Sequence, residues 1–247
     1  MACINLKILG CGDAFCSGGK FNSAFFFSTS HINFLLECGA TTLLALKKHR
    51  IPTHSIDAVI ISHFHGDHFG GLIFLLLEEK KNKREKPLYI VSPIGMDDKL
   101  KAAADLFYPG SDILSDLNII YKFYGAHQQL DLGSLVIKTF PVIHSPDTLP
   151  HGVRMEVDGV TIAYSGDTEW TEEIIPLSDE ADLFICECNF YSTESAGHLS
   201  YKVLSNKDLN CKRLLLTHLG EEMLHLKADI QYEVAEDGKE YIISGIK

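Results

Sequence analysis

Three features that define other classes of protein are missing from this sequence. Residues 1–5, MACIN, contain no basic residue ahead of an apolar run, so we expect no signal peptide. No apolar stretch reaches about 18 residues, the length that crosses a bilayer, so we expect no membrane partner. The seven cysteines are odd in number, and Cys186 and Cys188 are too close for an ordinary bridge. This pattern favours a reduced, cytoplasmic chain over a disulfide framework.

Positive charge is also scarce. The chain has 22 Lys and Arg against 33 Asp and Glu, a formal net charge of -11. General nucleic-acid binding needs clustered basic side chains, so we do not expect it from a chain with this excess of acidic residues. Bound divalent metals would offset the charge locally, which keeps a small anionic substrate or a short nucleic acid open as a partner. The one charge run, residues 78–86, is predicted to be a solvated helix end and loop, with a nucleic-acid contact as the alternative.

The 247 residues are 46% hydrophobic, which is enough for a sizeable core. That length suits one large domain or two small ones, and the absence of a linker favours a single domain over residues 1–247. Apolar runs predict strands at 4–9, 23–27, 33–36, 58–61, 88–91, 135–140, 153–157, 160–164, 181–186 and 213–217. Helices are predicted at 41–49, 70–81, 97–107 and 200–207, and a hairpin at 231–243 turning at 236–238. Strands outnumber helices, which indicates two packed sheets with helices outside.

Five loops that follow strand-like runs each offer a metal-capable side chain. The densest loop directly follows a buried strand and holds His63, His65, Asp67 and His68 within a span of six residues. The other four loops contribute His144, Asp167, Glu187 and His218. Residues two apart on extended backbone point to one side, so His63 and His65 can share an ion. Neutral imidazoles with carboxylates suit Zn²⁺, Mn²⁺ or Fe²⁺. A lone histidine would be an ordinary surface or core residue, but this crowding indicates a metal site.

The stretch His63-x-His65-x-Asp67-His68 resembles the signature of the metallo-β-lactamase-fold hydrolases. His144, Asp167 and His218 follow in that family's order, so the resemblance runs from residues 10–13 to His218. It implies an α/β fold, a four-layer αββα sandwich with two mixed sheets and outer helices. It also implies two divalent metal ions, with Zn²⁺ favoured and Mn²⁺ or Fe²⁺ as alternatives. One ion would take His63, His65 and His144, the other Asp67, His68 and His218, with Asp167 bridging them.

Two further stretches resemble the ribonuclease Z branch of that family. Residues 197–200, GHLS, are similar to its His-Ser-Thr motif, in which the histidine faces the scissile phosphate. Residues 186–190, CECNF, are similar to its His-Glu-Ala-Thr loop, whose glutamate supports that histidine. The resemblance implies catalytic roles for His198 and Glu187, although Cys186 and Leu199 depart from the motifs. The alternatives are a surface histidine ahead of a helix and a strand-end carboxylate without chemistry.

The resemblance implies a metal-dependent phosphodiesterase in which Asp67 orients the attacking water and takes its proton. In single-domain ribonuclease Z enzymes a basic arm that grips tRNA is expected between the residues matching His144 and Asp167. Those positions are only 23 apart here, so a small phosphodiester such as a cyclic nucleotide is favoured, with RNA 3′ ends still open. A thioester or lactone hydrolase would share all seven ligands, and a non-catalytic binding protein would show gaps among them. His151 is a further pocket candidate, and a homodimer is possible.

Overall fold

The computed structural model describes residues 3–245, which form two seven-stranded sheets packed face to face. In the first sheet the strands lie in the order β14-β1-β2-β3-β4-β5-β6, and in the second β13-β12-β11-β10-β9-β8-β7. The first sheet comprises β1 Cys3–Gly10, β2 Ala24–Ser28, β3 Asn33–Leu36, β4 Ala58–Ile60, β5 Leu88–Pro93, β6 Ile119–Tyr124 and β14 Glu240–Ser244. The second comprises β7 Gln129–Asp131, β8 Leu135–Pro141, β9 His151–Val157, β10 Val160–Tyr164, β11 Leu183–Glu187, β12 Leu214–Thr217 and β13 Glu233–Val234.

Over the described residues, seven α-helices accompany the sheets: α1 Thr42–Lys48, α2 Gly66–Phe69, α3 Leu72–Lys81, α4 Met96–Phe107, α5 Ile174–Ser178, α6 Tyr201–Leu204 and α7 Glu221–His225. Apolar residues of α1, α3 and α4 cover the outer face of the first sheet, and α5 lies against β9 and β10 of the second. Two mixed sheets with helices confirm the predicted fold class. Within residues 3–245, no helix combines the length and the apolar character that a bilayer crossing requires.

The side chains of β2 show how the layers are held together. Phe25 and Phe27 point between the two sheets, whereas Phe26 points to the outer helices, because successive residues of a strand face opposite sides. The Phe25 ring lies 5.8 Å from that of Tyr164 in the second sheet, in an edge-on arrangement. Full burial of such a ring contributes about 1.5–3 kcal/mol. The strand therefore stabilises two interfaces at once.

The strand directions bring all the candidate loops to one edge. Strands β3 to β6 run parallel to one another, as do β10 to β13. β1 runs in the same direction as β3, because both are antiparallel to β2, which lies between them. β8 runs in the same direction as β10, because both are antiparallel to β9. The carboxyl ends of these strands therefore meet at one rim of the sandwich. The loops after β1, β3, β4, β8, β10, β11 and β12 converge there.

The predicted hairpin at the end of the chain is wrong. β13 pairs in parallel with β12 in the second sheet, whereas β14 pairs antiparallel with β1 in the first. Asp237, at the expected turn, accepts hydrogen bonds from the amides of Cys11 (3.0 Å) and Phe21 (2.9 Å). The Gly238 amide donates to the Ile8 carbonyl. The segment between the two strands thus crosses from one sheet to the other. Strands β6 and β7 and helices α5 and α7 were not predicted.

The charge run at residues 78–86 is largely the predicted solvated helix end and loop, since residues 81–83, 85 and 86 are exposed. Arg84 is the exception. It is buried, and its guanidinium donates to Glu79 at 2.6 Å and to the carbonyls of Ile56 and Pro87. Lys86 pairs with Asp57, and its side chain stays 49% exposed. Arg84 therefore anchors the loop between α3 and β5.

The expectation of no signal peptide rested partly on Met1 and Ala2, which lie outside the described residues.

Candidate active site

Tertiary contacts set the position of the loop after β4. The Tyr124 hydroxyl, at the end of β6, donates to the Ile61 carbonyl. The Ser62 amide lies 3.2 and 3.3 Å from the two carboxylate oxygens of Glu37, which directly follows β3. Glu37 is fully buried. Neighbouring strands therefore hold the backbone that presents His63, and the sequence analysis did not identify Glu37 in this role.

Two glycines allow the chain after β3 to pass close to α2 and α3. The His68 carbonyl accepts a hydrogen bond from the Cys38 amide at 2.6 Å, and the Gly71 amide donates to the Cys38 carbonyl at 2.8 Å. A Cβ atom at Gly71 would lie 2.0 Å from the Gly39 carbonyl oxygen, and one at Gly39 would lie 1.8 Å from that of Asp67. Only glycine fits at either position. The contact fixes the turn of helix that carries Asp67 and His68.

Three predicted ligand histidines meet on one side of Asp167. His65 Nδ1 lies 3.2 Å from His63 Nε2 and 3.0 Å from His144 Nε2. The Asp167 carboxylate oxygen Oδ2 is 3.8 Å from His63 Nε2 and 4.0 Å from His144 Nε2. Ligand atoms from all four residues lie within 4.8 Å of one another. We call these residues the first ligand group.

A second ligand group lies on the other side of the same carboxylate. Asp167 Oδ2 is 3.2 Å from His68 Nε2 and 3.2 Å from His218 Nε2. Asp67 Oδ2 is 3.2 Å from His68 Nε2 and 3.3 Å from His218 Nε2. Ligand atoms of these four residues also lie within 4.8 Å of one another. Asp167 is the member common to both groups.

Both groups fit divalent metal ions. Among the described residues, Asp167 Oδ1 is buried without a hydrogen-bond partner, and His68 Nε2 lies 3.2 Å from oxygens of Asp67 and Asp167 without hydrogen-bond geometry to either. Buried polar atoms without partners are costly, and a cation between the clustered nitrogens and carboxylates would satisfy the inward-facing ones. Imidazole and carboxylate are the ligand types that Zn²⁺, Mn²⁺ and Fe²⁺ accept.

Three of the ligand histidines have a hydrogen-bond partner on the outer ring nitrogen, whereas His68 Nδ1 only approaches Glu37 Oε1, at 3.6 Å. The hydrogen-bonded pairs are His63 Nδ1 with Ser62 Oγ at 2.9 Å, His144 Nδ1 with the Gly197 carbonyl at 2.7 Å, and His218 Nδ1 with the side-chain amide of Asn189 at 3.0 Å. Such partners fix ring orientation and tautomer at metal sites. Sequence reasoning missed Glu37, Ser62 and Asn189 in this role. The available signal was position, since each lies at or just beyond the carboxyl end of a strand.

The charges of the site are arranged for cations. Burial opposes ionisation of Asp167, but the surrounding histidines outweigh it and hold the pKa of that carboxyl well below its ordinary value. Burial lowers the pKa of His218, yet Asp167 and Asp67 raise it to about 9. Burial alone dominates at His63, whose pKa lies well below the ordinary value. The two carboxylates therefore remain anionic at neutral pH and attract positive charge into the pocket.

Glu187 and His198 form a hydrogen-bonded pair beside the second ligand group. His198 Nδ1 lies 3.0 Å from Glu187 Oε1. Glu187 is fully buried at the end of β11 and also accepts from the amides of Thr168 (2.6 Å) and Leu199 (3.3 Å). Burial lowers the pKa of His198, but the hydrogen bond and charge of Glu187 outweigh it, so the net shift is upward. His198 is thus a ring held by Glu187, with its pKa shifted towards the protonated form and its side chain 22% exposed.

A cleft of about 420 Å³ opens over these residues. Its lining combines the polar residues Asp67, Asp167, His198 and His218 with the apolar residues Ala14, Phe15 and Phe190. Two neighbouring residues of α7 hold the loops that flank the cleft. Glu221 accepts the Gly18 amide at 3.1 Å, and Glu222 accepts the amides of residues 191–193.

His151, the remaining pocket candidate, is the first residue of β9 and is mostly buried. Its Nδ1 lies 2.8 Å from the Leu149 carbonyl, and its ring packs edge-on against Tyr124 at 5.3 Å. These contacts make it a packing residue behind the loop after β4.

Fold and site together define the class. The fold has two mixed sheets with a His/Asp centre at their shared rim. Together with its relatives, this makes the protein a metal-dependent hydrolase of the metallo-β-lactamase fold, near the ribonuclease Z branch. The chain belongs to the family described as Anti-Pycsar protein Apyc1, whose profile matches residues 4–241.

Among curated relatives, the probable metallo-hydrolase YhfI of Bacillus subtilis (strain 168) is 27% identical over 234 residues, covering 90% of this chain and 89% of YhfI. Ribonuclease Z of Clostridioides difficile (strain 630) is 26% identical over 272 residues, covering 89% of each chain. The crystal structure of YhfI from Bacillus subtilis superposes with a TM-score of 0.79 at 24% identity, covering 98% of this chain and all of that one. The predicted family is therefore confirmed.

Proposed function

We propose that the protein hydrolyses a small phosphodiester, a cyclic nucleotide being the favoured substrate. The observation that supports this most strongly is the Glu187–His198 pair, which sits directly beside the second ligand group. The His198 ring centroid lies 4.9 Å from that of His144 and 5.4 Å from that of His218. A histidine held by a carboxylate at that distance from the metal ligands is suited to a phosphoryl group bound between them.

The two ligand groups support a place for two ions. One ion would be held by His63, His65 and His144, the other by Asp67, His68 and His218, and Asp167 would be shared between them. Zn²⁺ suits this set best, with Mn²⁺ or Fe²⁺ as alternatives. When bound, the ions supply positive charge for the phosphoryl oxygens and a water acidic enough to act as nucleophile near neutral pH.

The remaining roles fall to two side chains. Asp67 lies at the cleft wall within 3.3 Å of both His68 Nε2 and His218 Nε2, and it orients the attacking water and accepts its proton. Glu187 engages His198 Nδ1, which leaves Nε2 to donate to an equatorial phosphoryl oxygen or to protonate the leaving alkoxide. The raised pKa of His198 favours the protonated form that either role requires.

The size of the substrate is argued from what flanks the site. Between His144 and Asp167 the chain forms one short 3₁₀ turn and the β9–β10 hairpin, which leaves no room for an arm. The alignment with Clostridioides difficile ribonuclease Z spans 272 residues, more than the 247 of this chain, so that enzyme has segments without a counterpart here. With a net charge of -11, these features favour a mononucleotide over tRNA. A homodimer and a cytoplasmic location stay predictions.

A turnover screen tests the proposal. The purified protein, supplied with Zn²⁺ or Mn²⁺, is offered bis(p-nitrophenyl) phosphate, 3′,5′-cyclic nucleotides, a tRNA precursor and a thioester. We expect hydrolysis of the first two and a loss of kcat of about 10²–10⁴ in His198→Ala, the range for losing a general acid. Activity on the thioester alone would refute the phosphodiester assignment and favour the acyl-ester alternative, which uses the same ligands.

A further inference from the structure

Phe15 is the most exposed large apolar side chain in the part of the chain that the structure describes. Its side chain is 88% accessible, although it lies in the loop after β1 at the mouth of the cleft. Isolated apolar residues on a surface are common and need no explanation. An aromatic ring held at the edge of a metal-site cleft is different, because ligand pockets combine apolar walls with a few polar groups that fix orientation.

The Phe15 loop is held rigidly. The Asp13 carboxylate accepts the amides of Phe15 (3.1 Å) and Ser17 (3.0 Å) and the Ser17 hydroxyl (2.8 Å). The Gly18 amide is tied to Glu221 of α7 at 3.1 Å. The ring is therefore presented by a pre-organised turn, which reduces the entropy that a ligand must remove on binding.

A second aromatic residue lies in the same cleft. Phe190 lines it, and the Phe190 ring centroid lies 6.3 Å from that of His198. Phe15 and Phe190 thus line the same cleft as the residues that handle the phosphoryl group. The matching ligand carries an anionic group and a planar apolar group.

We propose that Phe15, with Phe190, binds the base of the substrate nucleotide by stacking. The inference rests on the proposed function and narrows it. Every nucleobase has a π-face that stacks on an aromatic side chain, and this contact tolerates different bases. The polar residues of the cleft position the phosphodiester, and Phe15 provides affinity for the part of the substrate that does not react.

Paired substrates test the role of Phe15. Wild type and Phe15→Ala are assayed on a 3′,5′-cyclic nucleotide and on the same cyclic ribose phosphate with a methoxy group in place of the base. Stacking on one aromatic side chain corresponds to a factor of about 5 to about 150. We expect the ratio of the two kcat/KM values, nucleotide over base-free, to fall by that factor, mainly through KM. Phe15→Tyr should restore the ratio, and Phe107→Ala, an exposed phenylalanine on α4, should leave it unchanged.

A binding measurement separates this inference from the proposed function. The chain has one tryptophan, so Phe15→Trp combined with Trp170→Phe places the only indole at position 15. A nucleoside 5′-monophosphate should quench its fluorescence in the metal-loaded protein, and ribose 5-phosphate should not. A kcat/KM ratio within twofold of wild type in Phe15→Ala, or equal quenching by both phosphates, would overturn the stacking role. Base-dependent quenching without phosphodiester turnover would support the stacking role and overturn the proposed reaction.

Discussion

Glu187→Gln should impair catalysis only through His198. The carboxylate accepts four hydrogen bonds, from His198 Nδ1 at 3.0 Å and from the amides of Thr168, Leu199 and Asn189 at 2.6, 3.3 and 3.4 Å. Glutamine keeps the shape but removes the charge, and one of its two terminal atoms becomes a donor facing other donors. A hydrogen bond to a charged group contributes about 1.5–3 kcal/mol. At about 1.36 kcal/mol per tenfold in rate, kcat should fall by about 10- to 150-fold.

A double-mutant cycle gives the decisive measurement. kcat on bis(p-nitrophenyl) phosphate is compared among wild type, Glu187→Gln, His198→Ala and the double variant. If Glu187 acts by holding His198, its substitution should have little further effect once the ring is gone, so the losses will be far from additive. Glu79→Gln is the matched control, because Glu79 is an equally buried carboxylate paired with Arg84 away from the site. It should lower Tm and leave kcat unchanged. A full Glu187→Gln loss in the His198→Ala background would refute the reasoning and indicate an effect through Thr168 on Asp167.

Three further predictions follow from the site and the tail. Asp167→Ala removes the carboxylate common to both ligand groups, so metal content by elemental analysis and turnover should both collapse while far-UV circular dichroism stays unchanged. Chelation of the wild-type metals should lower Tm, because bound ligand stabilises the folded state by mass action, and added Zn²⁺ should restore it; an unchanged Tm would argue against a metal centre. Burial raises the pKa of Glu233, but hydrogen bonds from Lys239 and Arg213 lower it overall, so its contribution exists above the unfolded pKa and is lost as pH falls through the folded one. The Tm difference between wild type and Glu233→Gln should therefore shrink between pH 7 and pH 3, and a constant difference would contradict the assignment.

The ligand loops were predictable because their chemistry is local. Four metal-capable residues lie within a span of six positions after one buried strand. Residues two apart on an extended backbone point to the same side, which already places His63 and His65 together. The buried strands were readable for a similar reason, since runs such as those in β4 and β12 stand out without any tertiary information. Most element ends shifted by one or two residues, as expected where helices and strands fray, and α6 ends three residues earlier than predicted.

The features that the sequence does not predict depend on contacts between distant parts of the chain. Glu37 lies 31 positions before His68, and only the neighbouring positions of β3 and β4 bring them together. The hairpin predicted at the tail was wrong for the opposite reason, because the residues around Asp237 and Gly238 form a good local hairpin pattern. The pattern cannot reveal that Asp237 is engaged by Cys11 and Phe21, which draws the two strands into different sheets. No sequence pattern indicates a binding role for Phe15, since that role depends on the cleft beside it.

The divided tail has a consequence for biosynthesis. Chains are made from the N-terminus, so all seven candidate ligands, His63 to His218, are synthesised before β13 and β14 exist. Asp237, which anchors the backbone on both sides of the Phe15 loop at Cys11 and Phe21, is synthesised after all seven. The ligands are therefore all available before the loop that carries Phe15 can be anchored.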